Sequence, residues 1–107
     1  MKTYSGHRTE AGCAVTVQEG TDSRGLDPRF DLRTHSLTGF EWGYGGSGPA
    51  QLALALAADV LEDDDAALDI YQRLKFRLVG QLPKDGWSLT ERELADTIRS
   101  LARTEPA

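Results

Sequence analysis

The sequence predicts an α+β fold, in which an N-terminal antiparallel β-hairpin or small three- to four-stranded sheet packs against three C-terminal α-helices. Three observations carry this expectation. Cys13, Val15 and Val17 alternate with Ala14, Thr16 and Gln18, which is the period of a half-buried strand. After Gly48 the apolar period becomes helical and capping residues appear. A chain of 107 residues with 39% hydrophobic and 27% charged residues has the size and balance of a single globular domain.

In chain order, Tyr4 to Arg8 is expected to pair with the Cys13 to Val17 strand across Thr9 to Gly12. Gly20 to Gly25 holds Thr, Asp and Ser between glycines and reads as a loop. Phe30, Leu32 and Thr34 offer a third short strand and Thr38 to Trp42 a fourth, so the extended half spans about 1–42 and a glycine loop follows at 43–48.

The first helix is expected over about 49–61. Pro49 suits the first helical position, Gly48 the N-cap, and Gln51 the place from which a capping side chain reaches back. Only Gln51 and Asp59 interrupt the apolar run from Ala50 to Leu61, so this helix should lie centrally, its alanines admitting close neighbours. A second helix is expected over about 65–82, capped by Asp64 and stopped by Pro83. Ala67, Leu68, Tyr71, Leu74, Leu78, Val79 and Leu82 share its core face. Lys75 falls within that face, either with its stem over the core and its ammonium in water or paired with an anion in a pocket. The third helix, about 91–103, has a capping box in Thr90 and Glu93 and a staple in Leu89 and Leu94. Arg92, Asp96, Arg99 and Arg103 form a surface stripe, read as salt-bridged and solvated or as a contact for phosphate.

Composition narrows the function classes. A net charge of −5 argues against a protein that binds nucleic acid through its phosphates. The acids concentrate at Glu62, Asp63, Asp64 and Asp65, a solvated turn that favours the next helix N-terminus or a patch that meets a basic partner. A lone Cys13 allows no internal disulfide, no Cys/His spacing suits a metal, and nothing points to a cofactor. Cys13 reads as core packing. The N-terminus has no apolar signal region, and the run from Ala50 to Ala58 is about half the ~20 residues of a membrane span. A cytoplasmic protein away from membranes is expected.

The segment Gly39 to Ala53 is the densest in character. Gly43, Gly45 and Gly48 fit G-x-G-x-x-G ahead of a helix, where free N–H groups can face an anion. The dinucleotide fold also needs a strand after that helix, and an acidic turn and another helix stand there instead. A phosphate P-loop needs Lys and Ser or Thr after the last glycine, where Pro49 and Ala50 occur. Gly45 to Pro49 is also one residue short of G-x-S-x-G, and the chain is too short for the sheet of a serine hydrolase. Ser47 reads as a capping residue.

Besides a protein-contact surface, two readings of this segment remain. In one, the glycines let the backbone turn tightly while Phe40, Trp42 and Tyr44 pack into the core. In the other, Trp42, Gly43, Tyr44, Gly45, Gly46, Ser47 and Gly48, with Lys75 nearby, bind a small anionic ligand, phosphate or nucleotide-like. His35, Ser36 and Glu41 lie just upstream and form the candidate polar site of a small enzyme, given hydrogen-bond reach among them.

His35-Ser36 and the run Thr38-Gly39-Phe40-Glu41-Trp42-Gly43-Tyr44-Gly45-Gly46-Ser47-Gly48-Pro49-Ala50-Gln51-Leu52-Ala53 resemble the signature of a family of small uncharacterised proteins of bacteria, archaea and their phages. The likeness extends from the first strand through the third helix. Leu37 stands where that family commonly has proline, a departure that bears on the turn more than on chemistry. The resemblance implies no activity. It implies a context of phages and mobile elements, rich in small accessory and anti-defence proteins. The leading expectation is a non-enzymatic binding protein for an anionic ligand. The alternative is a protein–protein inhibitor or accessory factor using the acidic turn or an exposed aromatic, and a homo-oligomer fits either.

Overall fold

A computed structural model of the chain describes residues 1–103. Strands β1 (Lys2–Thr9) and β2 (Gly12–Glu19) form the expected hairpin, with Tyr4 opposite Val17 and Arg8 opposite Cys13. β3 (Asp22–Gly25) pairs with β2, and β4 (Gly86–Thr90) pairs with the other edge of β1. All pairs are antiparallel, and the order is β3-β2-β1-β4.

The fold class is α+β as the sequence predicts, but two strands come from unexpected places. Phe30 to Thr34 and Thr38 to Trp42 are irregular, while Gly20 to Gly25, expected as a loop, contributes β3. Every residue of β3 is exposed, so no apolar alternation marks it. The chain from Leu26 to Trp42 instead runs over the helices, and Leu26, Leu32, Phe40 and Trp42 pack against the core from this irregular segment. The fourth strand, β4, arises between the second and third helices and puts Trp87 into the core. Its indole lies over Gly6 in the facing strand, where a Cβ would come within 2.4 Å of the ring, so β1 needs glycine at that point.

Helix α1 spans Ser47–Leu61 and is buried from Gly48 through Ala58. Its alanines let α2 (Asp64–Arg77) lie close beside it. The start of α1 differs from expectation: Gly46 is the N-cap, so Gly48 and Pro49 lie inside the first turn. The cap of α2 is Asp63 rather than Asp64, its carboxylate accepting from the Ala66 N–H at 3.1 Å. α2 ends at Arg77, and a short 3-10 turn, Val79–Gln81, takes the chain on to Pro83. α3 (Glu91–Arg103) begins with the expected capping box: Thr90 N–H to Glu93 at 2.9 Å and Glu93 N–H to the Thr90 hydroxyl at 3.0 Å. Leu94, Ile98 and Leu101 bury its inner face, and Arg99 pairs with Asp96 on the outer one. Among the described residues no helix is long and apolar enough to cross a membrane.

Candidate functional site

The glycine segment is held from both sides. Gly43 has φ +85°, donates its N–H to the Val79 carbonyl at 3.0 Å, and would bring a Cβ within 2.9 Å of Lys84 Cγ and 3.2 Å of the Leu82 carbonyl. At Gly48 a Cβ would lie 2.6 Å from Glu41 Cβ and 3.2 Å from the Glu41 backbone nitrogen. Gly80 in the 3-10 turn approaches the Tyr44 and Lys75 carbonyls as closely, at 3.3 and 3.1 Å from its Cβ position. The turn after α2 and the loop before α1 therefore meet backbone to backbone.

Trp42 anchors this loop from within. It is fully buried, donates its indole N–H to the Lys84 carbonyl at 3.1 Å, and meets Trp87 edge to face at 5.6 Å between ring centroids. Its ring is part of the core and offers no face to a ligand. Tyr44, two residues on, points the other way and is 48% exposed. The Tyr44 ring lies against Gly46, where a Cβ would come within 2.7 Å of it. Beside Gly45 stands Phe76 of α2, 61% exposed, its ring 3.8 Å from the Gly45 Cβ position. The Lys75 ammonium sits over the Phe76 ring at 4.4 Å from the centroid.

The structure thus brings Gly43 through Ser47, Tyr44 and Lys75 to one surface, and separates Trp42 from them. Phe76 is the member that sequence reasoning missed. Its signal was an aromatic off the apolar face of an amphipathic helix, where burial gives no reason for one. Ser47 is exposed as the first residue of α1, and it does not serve as the cap. The α1 N-terminus has no side-chain cap and no acid in its first turn.

His35, Ser36 and Glu41 each find a different partner. The His35 ring nitrogen Nε2 meets the Tyr71 hydroxyl at 2.8 Å, the Ser36 hydroxyl meets Thr38 at 3.3 Å, and Glu41 pairs with Arg8 at 3.2 Å. The backbone of this stretch is organised by Gln51, which is fully buried and does not act as a cap. Its Oε1 accepts from the His35 and Ser36 N–H groups at 2.7 and 3.2 Å, and its Nε2 donates to the Pro28 and Arg33 carbonyls at 2.6 and 3.1 Å. One side-chain amide thus ties the 28–36 segment to α1 without a strand.

Arg8 links the sheet to the loop, stacking over Trp42 at 5.0 Å and donating to the Lys84 carbonyl, the Cys13 thiol and Glu41. Burial pushes the Cys13 thiol up, and the hydrogen bond and charge of Glu41 push it the same way against Arg8. A thiol held protonated is a poor nucleophile, which agrees with packing as its role. Two open hollows of about 310 Å³ each lie elsewhere, between α2 and α3. One is lined by Arg77, Asp96, Thr97, Ser100 and Leu101, the other mainly by apolar residues including Leu61, Ile70 and Ile98.

A four-stranded antiparallel sheet over a buried alanine-rich helix, with exposed Tyr44 of the close-packed glycine loop and exposed Phe76 of α2 side by side, defines a small α+β protein whose distinctive feature is a surface. The chain belongs to the family of unknown function DUF6166, whose model matches residues 4–100. No curated protein and no solved structure matches the chain.

Proposed function

We propose that the chain is a small non-enzymatic binding protein that engages another protein through Tyr44, Phe76 and Lys75. The observation that carries this reading is the exposure of Tyr44 and Phe76 beside a loop whose glycines are fixed by close packing. The fold needs glycine at 43 and 48, and it gains nothing from two rings in water. Large aromatics on a rigid support are what protein interfaces use as anchors, since little side-chain entropy is lost on binding. Neither of the two hollows of about 310 Å³ is lined by this loop, and a pair of exposed aromatic rings suits a protein partner. An accessory or inhibitory protein of a phage or mobile element would act through such a contact. The single free Cys13 fits a reducing cytoplasm.

The test is capture of a stoichiometric partner from the native host by the tagged chain, repeated with Phe76→Ala and Tyr44→Ala. The expected result is one protein retained by the wild type and lost with either variant while circular dichroism is unchanged. Retention by both variants overturns the assignment.

A second reading, binding of a small anion, is favoured by the N-terminus of α1, which has no side-chain cap and no acid in its first turn. Glu41 packs against Gly48 at that same helix start and opposes it. A thermal-shift titration with phosphate and nucleotides separates the two readings, because a ligand of the native state raises the Tm by mass action.

A further inference from the structure

Positive charge gathers at one end of this acidic chain. From Ile70 to Lys84 there are four cations, Arg73, Lys75, Arg77 and Lys84, and no acid, in a chain of net charge −5. A short link folds α2 back along α1, so the acidic run Glu62 to Asp65 stands at one end of the pair. Tyr44, Phe76 and Lys75 stand at the other, about 20 Å away at the rise of a helix. The Lys75 ammonium lies 4.4 Å from the centroid of the Phe76 ring, and the Lys84 stem lies against Gly43, one residue from Tyr44. Neither lysine has a carboxylate partner among the described residues. The acids nearest to these residues in sequence are Glu41, which Arg8 pairs, and Asp85. The dipole of α2 draws cations to its last turn, which accounts for Arg77 and for Lys75 being there. It does not account for Lys84, beyond the 3-10 turn, or for an ammonium held over an exposed ring.

We propose that the partner of the Tyr44 and Phe76 surface is an acidic protein, whose Asp or Glu side chains flank an apolar site and meet Lys75 and Lys84. This rests on the aromatic contact already proposed and names the chemistry of what sits there. The two rings give the apolar anchor, and the lysines beside them give the charge that orients it. Glu62 to Asp65 repel the same partner from the far end, so the field of the chain turns its basic end toward it. A protein fits this end better than a nucleic acid does. Two lysines on a chain of charge −5 are far from the clustered cations that a phosphate backbone requires.

The test takes the complex that the tagged full chain retains from the native host, treated with nuclease and then with a water-soluble carbodiimide. That reagent joins an amine to a carboxylate in contact with it. The expected result is a zero-length link from Lys75 or Lys84 to an Asp or Glu of the retained protein. Lys75→Glu and Lys84→Glu, each confirmed folded by circular dichroism, should lower retention more than about tenfold, and raised salt should do the same to the wild type. Arg92→Glu, a like charge change on the exposed side of α3, should not. Links formed instead by Lys2 or by the carboxylates of Glu62 to Asp65 overturn the proposal. So does a partner lost with Phe76→Ala but held equally by the lysine variants and at high salt, a result that leaves the aromatic contact standing. Loss of retention on nuclease treatment puts a nucleic acid at this surface and overturns it too. If the wild type retains no protein, the proposal falls together with the reading it rests on.

Discussion

The phenol of Tyr4 donates a hydrogen bond to the carboxylate of Asp59 at 2.7 Å, joining the first strand to the buried helix across 55 residues of sequence. Asp59 also receives Arg24 at 2.8 Å and Lys2 at 3.4 Å, so a single carboxylate ties three points of the sheet to α1. Burial pushes the Tyr4 hydroxyl well above the usual phenol range, and its bond to Asp59 adds to this. At Asp59 burial acts upward too, but the hydrogen bonds from Tyr4 and Arg24 and the charge of Lys2 outweigh it, and the net direction is down.

Tyr4→Phe removes one bond to a charged acceptor and should cost about 1–2 kcal/mol at neutral pH. The pH dependence follows from the two directions. Asp59, lowered in the fold, contributes stability that is present above about pH 4 and lost as the pH falls. Tyr4, raised in the fold, contributes stability that is complete below about pH 10 and lost as the pH rises beyond it. Urea midpoints of wild type and Tyr4→Phe should therefore differ most between these limits and converge outside them. A constant difference across the range contradicts the assignment.

Gln51→Ala should be the most damaging polar truncation in the chain. It strands the Pro28 and Arg33 carbonyls and the His35 and Ser36 N–H groups at once, at a cost of about 3 kcal/mol or more. Amide exchange at His35 and Ser36 should accelerate beyond what the lost global stability explains, as the 28–36 segment comes away from α1.

Two glycines of the same loop should respond differently to alanine. At Gly48 the added Cβ meets Glu41 Cβ and backbone, which cannot withdraw without moving the loop, so Gly48→Ala should cost about 2 kcal/mol. At Gly46 it meets only the Tyr44 ring, which is half in water and can swing aside, and the φ of −173° suits any residue. Gly46→Ala should cost less than about 1 kcal/mol. Equal losses in thermal unfolding would show that the ring is held as firmly as the backbone.

Much of the fold was legible in the sequence, for identifiable reasons. Strand β2 alternates cleanly and β1 follows as its hairpin partner, α1 is a long apolar run, and α3 carries Thr90 and Glu93 at capping-box spacing. β3 was hidden because a fully exposed edge strand has no apolar side to show. Gly86 to Thr90 does alternate, with Trp87 and Leu89 inward, but its five residues sit in what otherwise reads as a connection between helices. The expected strands around residues 30 and 40 failed because their apolar residues anchor a loop, which Gln51 ties to α1. The glycine segment was visible as a feature, but which aromatic faces inward was not. Trp42 and Tyr44 have the same spacing parity, and only the left-handed turn at Gly43 sends one into the core and the other into water.

The central claim is that Tyr44 and Phe76 meet a partner. The most direct measurement places a photo-crosslinking amino acid at position 76 and, as a control, at the exposed position 92 on α3, in cells of the native host. The account predicts one discrete adduct from position 76, suppressed by Tyr44→Ala in the same chain, and none from position 92. No adduct from position 76, or the same adducts from both positions, contradicts it.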